Sequence, residues 1–145
     1  MRNSQQGVML IEALVGILIF SIGILAMIGM QAVAMRATID AKYRSEASFL
    51  ANEIIGTMWV DRTNLNAYAT SPASPASCSS PPALGDPPSC TWISRVQTLL
   101  PQATGTNGPT IEISSQQATI IVRWQRPGES TVSNHTVVAQ INSSI

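Results

Sequence analysis

An α+β chain is what this sequence predicts: a long N-terminal helix, with a membrane half and an amphipathic half, packed on a small antiparallel sheet of about three strands. Three observations carry that expectation. Ala13 to Met35 is a run of twenty-three residues without a charge, in which only Ser21 and Gln31 are polar. Ile39, Tyr43, Ala47, Leu50, Ile54 and Met58 then follow steps of 4, 4, 3, 4 and 4, which makes one stripe of an amphipathic helix. Towards the C-terminus, three short segments alternate apolar and polar residues, as half-buried strands do.

The first element is the uncharged run. At about 1.5 Å of rise per residue, a helix of that length spans a ~30 Å hydrocarbon core. No proline interrupts the sequence from Val8 to Trp59, so one helix is expected to continue through it. Its glycines, Gly16, Gly23, Gly29 and Gly56, form no Gly-x-x-x-Gly pair. Gly23 and Gly29 read instead as flexible points. Beyond Gln31 the apolar stripe takes over, while Arg36, Asp40, Lys42, Arg44, Glu46, Asn52 and Glu53 populate the other faces. Asp61 to Asn66 ends the helix.

Ser71 to Ser89 contains six prolines and many serines, and the stretch that carries both cysteines reads as non-helical. Trp92 to Leu100 has apolar residues at Trp92, Ile93, Val96, Leu99 and Leu100, a short helix stopped by Pro101. A glycine-containing loop follows at Gly105 to Pro109. Thr110 to Ser114 alternates with Ile111 and Ile113 inward. Ala118 to Gln125 sets Ile120, Val122 and Trp124 on one face, with Arg123 and Gln125 on the other. His135 to Ile141 groups Val137, Ala139 and Ile141. Arg126-Pro127-Gly128-Glu129 supplies the turn after the second strand. There are no internal repeats. Once the membrane half is set aside, about a hundred residues remain, enough for one small domain.

Composition narrows the function. Eight basic and eight acidic residues balance, and no basic stripe speaks for nucleic acid. Apart from Arg2 and Glu12, every charge lies at Arg36 or beyond. The charged region before the apolar run is short, and the run is longer than the 7–15 apolar residues typical of a removable signal. A plain signal anchor, with Ala32-Val33-Ala34 as a faint cleavage site, stays as the alternative. Arg36, Lys42 and Arg44 flank the far end, so loop charge does not orient the helix. Cys78 and Cys90 are the only cysteines, with eleven residues between them. In an oxidising compartment such a pair closes a disulfide that staples the Ser/Pro loop. Two thiols and a distant His135 are too few ligands for a metal, and a redox-active pair is usually closer. No Ser-His-Asp set, paired carboxylates or phosphate loop is present, so the sequence reads as a non-enzyme without a cofactor. Asn134-His135-Thr136 fits a glycosylation acceptor by chance.

The most telling stretch is Gly7-Val8-Met9-Leu10-Ile11-Glu12, which leads into the apolar run. A carboxylate at the mouth of a membrane helix is expensive, on the order of a few kcal/mol or more if it is left isolated in hydrocarbon. Gly7, an apolar residue, Leu10-Ile11-Glu12 and a long apolar run resemble the cleavage and assembly motif of type IV prepilins. Looser cues extend the resemblance along the chain, towards the PilV group of minor pilins. They are Ser48-Phe49-Leu50-Ala51-Asn52-Glu53 on a helix, the two cysteines, Trp92 before Leu99-Leu100-Pro101, and a strand ending Val122-Arg123-Trp124. Val8 stands where such proteins often have Phe, and Met9 where they often have a small hydroxyl residue.

The resemblance implies a type IV pilin-like fold in three parts: residues 1–7 as a leader peptide, 8–35 as the membrane and filament-core half of the helix, and 36–145 as the head. It implies that an integral-membrane prepilin peptidase cuts between Gly7 and Val8 and methylates the new amine of Val8. Glu12 would be the assembly carboxylate, pairing with the amine of Val8 in its own chain, one turn away, or with that of a neighbouring subunit. A snorkelling acid held by the helix dipole is the rival reading of Glu12. The implied partners are that peptidase, other minor pilins and the major pilin, the inner-membrane assembly platform and membrane lipid. The chain would be stored in the bacterial inner membrane with its head in the periplasm, then join a priming or tip complex of a cell-surface pilus that serves adhesion or twitching motility. A pseudopilin of a type II secretion system shares the N-terminal logic, and a membrane-anchored binding module that never polymerises is the alternative from another class. The Ser/Pro loop around Cys78 and Cys90 is the candidate partner- or surface-contacting element.

Overall fold

The structure is a computed structural model that describes residues 5–71 and 76–142. Helix α1 (Gln5–Val60) is followed by a 3-10 turn (Leu65–Tyr68), helix α2 (Ser89–Leu99), a second 3-10 turn (Gly105–Asn107) and strands β1 (Thr110–Ser114), β2 (Gln117–Gln125) and β3 (Val132–Gln140). The chain divides into two compact units, one ending at Ala41 and the other running from Lys42 to Ile145.

In the first unit α1 is unbroken. It continues through Gly16, Gly23 and Gly29. Every residue from Val8 to Ile39 is exposed. The most apolar eighteen-residue window of the helix has a mean hydropathy of 2.6 and is not buried at all, which makes this helix long and apolar enough to cross a membrane. Ser21 interrupts the apolar run without leaving a bare polar group, because its hydroxyl donates to the Ile17 carbonyl at 2.7 Å.

In the second unit the stripe of α1 becomes the floor of a core. Ala47, Leu50, Ala51, Ile54 and Met58 are buried, and Tyr43 packs against them half-buried. Ile39 does not join them. It remains 42 % exposed, because the compact unit begins three residues after it.

The sheet is antiparallel with order β1-β2-β3. Ser114 pairs with Gln117, so two residues connect β1 and β2, and Ser115 supplies the left-handed φ (57°) that so tight a connection needs. Gly128, at φ 82°, plays that part after β2, where the Glu129 amide closes onto the Arg126 carbonyl. Ile111, Ala118, Ile120, Val122 and Trp124 are buried on the face that meets the rest of the core, as the alternation predicts.

The bounds of β3 and α2 differ most from the expectation. β3 begins at Val132 rather than His135, because nine consecutive pairs with β2 hold the polar residues Ser133 and Asn134 in register. Ile141 is buried but lies beyond the strand, with its amide donating to the Gln116 carbonyl at 2.7 Å. α2 begins at Ser89 rather than Trp92, so Cys90 is helical, against the expectation of a cysteine-bearing stretch that is non-helical throughout. Pro88 already has helical angles (φ −58°, ψ −25°), and a proline there costs no helix hydrogen bond.

Candidate functional site

Two places carry the sequence-predicted site residues. The first is the start of α1. Gly7 and Val8 both lie within the helix, so the bond between them is helical, and a peptidase that needs extended backbone must unwind one turn to reach it. Glycine at that point lowers the cost, because it is about 1 kcal/mol less favourable in a helix than alanine. Residues 1–4 of the expected leader lie outside the described residues. Val8 is 66 % exposed, and Glu12, exposed too, follows one turn later on the same face. No ion pair among the described residues involves Glu12. The nitrogen of Val8 is an amide here, so it offers no charge. Only cleavage of the preceding bond would create a cation four residues from this carboxylate.

The second place is the stapled loop. Cys78 and Cys90 form a disulfide with Cα atoms 5.4 Å apart, tying the loop to the first turn of α2. Inside the staple, Asp86 acts as a latch. Its carboxylate accepts from the Ala83 amide at 2.9 Å, the Ser79 amide at 2.9 Å and the Ser79 hydroxyl at 3.1 Å. The Ala83 amide, then that of Ser79, holds this carboxyl below its ordinary range. Gly85 turns the chain at φ 103° and leaves Leu84 fully exposed at the tip.

The other root of the loop is Thr70. Its backbone exchanges two hydrogen bonds with Ile111 of β1, at 2.8 and 3.0 Å, and its hydroxyl accepts from the Ala76 amide at 3.1 Å. Between loop and α2 lies a groove of about 360 Å³ lined by Ser79, Pro82, Ile93, Ser94 and Pro109 among others, with no charged side chain among the described residues.

α2 is in turn held to α1. The Trp92 indole donates to the Leu50 carbonyl at 2.8 Å in the core, and at the surface Arg95 pairs with Glu53 at 2.6 Å while lying over the Phe49 ring. Trp92 and Trp124 are both buried. On the 3-10 turn, the Tyr68 phenol reaches Asp61 Oδ2 at 3.3 Å. Burial, then the nearby Asp61 charge, raises its pKa.

Glu12 and the stapled loop belong to different units, so the site residues read from the sequence form two separate features. Sequence reasoning missed Asp86 and Thr70. An Asp beside Gly in a proline-flanked turn is a local signal for the first, whereas nothing local marks Thr70. Compared with known proteins, the chain matches no family model, no curated protein and no solved structure.

Proposed function

We propose that this chain is a minor pilin of a type IV pilus, stored in the inner membrane, cleaved after Gly7 and then drawn into a priming or tip complex. The supporting observation is α1 itself. From Val8 to Met35 it is exposed and apolar on every side, its one ionisable group is Glu12, and that group follows a glycine by five residues. A helix apolar all round must be covered by lipid or by other helices. A lone carboxylate is tolerated in that setting when a cation meets it, and cleavage at Gly7 generates the cation at Val8. The helix therefore has two resting places, the membrane before assembly and a bundle of like helices after it. The carboxylate–amine pair selects correctly docked subunits, and the head stays in solvent throughout.

The test is intact-mass spectrometry of the N-terminus of the protein from membranes, with and without Gly7→Ala. The expected result is a chain starting at methylated Val8, lost in the variant. A chain still beginning at Met1 or Arg2 would sink the reading and leave a membrane-anchored binding module.

A further inference from the structure

The two edges of the sheet are treated differently. β1 is five residues long, carries the exposed Glu112, and has its outer side bridged by Thr70 at Ile111. Short length, charge and a covering segment are the devices by which proteins keep edge strands from pairing with other chains. β3 has none of them. It runs nine residues without proline, pairs with β2 in unbroken register from Val132 to Gln140, and contains no charged residue, His135 being its one titratable group. Among the described residues no backbone hydrogen bond covers its outer side. In an antiparallel strand every second residue directs its N–H and C=O away from the neighbour, so about four or five residues of β3 offer both groups outward.

We propose that the outer edge of β3 is a docking site for an extended, uncharged segment of a different polypeptide, which adds a fourth strand to the sheet. The edge itself specifies this occupant. Donors and acceptors alternating along a strand are satisfied together only by another extended backbone. Val132 and Val138 are 41 % and 55 % exposed, with Asn134, Thr136 and Gln140 exposed on the same side. Apolar or β-branched residues at alternate positions of the incoming strand match these neighbours. A charged residue in the same place would find no counter-charge to pair with, since the strand offers none, so uncharged residues match it better. That the segment comes from a non-identical chain rests on the assembly reading above, in which this protein meets unlike subunits.

The test uses the full chain in the cells that encode it. A photoreactive phenylalanine analogue replaces Thr136, or Glu112 on the guarded edge as a control, and each is combined with Val138→Lys. Cross-linked peptides are sequenced by mass spectrometry, and the mass of the N-terminus is read from the same membranes. Expected is a cross-link from position 136 to an uncharged, alternating segment of another protein, absent at position 112 and lost with Val138→Lys. Thr136→Lys, probed from position 134, gives the same loss. Unchanged urea melting of both lysine variants excludes misfolding as its cause. A cross-link to a second copy of this chain, to its own C-terminal residues, or to a charged or helical segment overturns the proposal, as does none at all. If Val8 is processed and the cross-link is missing, strand addition fails alone. If the chain is unprocessed, the assembly reading fails and takes this one with it.

Discussion

α1 passes through two regions that share one backbone conformation and differ in almost everything else. Up to Met35 its apolar residues lie on every face, and Val8, Leu14, Ile22 and Met30 are each more than half exposed. From Lys42 onward the apolar residues retreat to one stripe, and Leu50, Ala51 and Met58 lose all contact with solvent. The second region is stabilised by its own chain, because the sheet and α2 cover a stripe about one helix face wide. Among the described residues the first has no such cover, and every one of its positions from Val8 to Ile39 is exposed. A continuous helix is thus one element geometrically and two energetically.

The comparison breaks most completely at Glu12. On the assembly reading, Glu12→Ala abolishes incorporation into filaments, scored by immunogold labelling of sheared pili, while cleavage at Gly7 continues and the head melts as before. Undiminished incorporation would return Glu12 to a snorkelling role. Next in size is the core. Leu50→Ala should cost the head about 2–5 kcal/mol, the range for a buried leucine truncated to alanine. Ile17→Ala, at a site 64 % exposed, should leave the urea midpoint of the tryptophan fluorescence unchanged.

Reducing the Cys78–Cys90 bond, or replacing both cysteines by serine, should cost ~3 kcal/mol on the chain-entropy account of a loop this long. The loss should appear in the head alone. Trp92→Phe keeps most of the ring packing and removes the bond to the Leu50 carbonyl, so about 1 kcal/mol is expected. A larger loss in the same melts would show that the indole also fixes how α2 packs on α1.

The smallest effect is local to the latch. Because folding lowers the Asp86 pKa, its contribution is fully present above the ordinary carboxylate range near 3.8 and is lost as pH falls through the lower folded value. Faster hydrogen exchange at the Ser79 and Ala83 amides is expected as acid crosses that window, once intrinsic rates are corrected for. Asp86→Asn should show the fast rates at neutral pH. Exchange indifferent to both would mean that prolines and disulfide alone shape the loop.

The amino-acid sequence by itself determined the long helix, the switch from an all-round apolar surface to a stripe, the end near Asp61, and all three strands with the correct faces inward. These are periodic properties, set by 3.6 residues per helical turn and by alternation along a strand, and they need no knowledge of partners. The cysteine pair was legible too, since two thiols in a proline-rich loop have one another as the nearest chemistry. Tertiary structure alone decided where the stripe stops contributing, which left Ile39 out of the core. It also extended β3 to Val132 through pairing with β2, and let α2 reach back to Ser89. The Trp92–Leu50 bond and the Thr70–Ile111 bridge each join residues about forty positions apart. No local pattern announces such contacts, because their free energy comes from two surfaces meeting after each has formed. The outer edge of β3 belongs with them: alternation marks a strand, and only the finished sheet shows which edge the described residues leave uncovered.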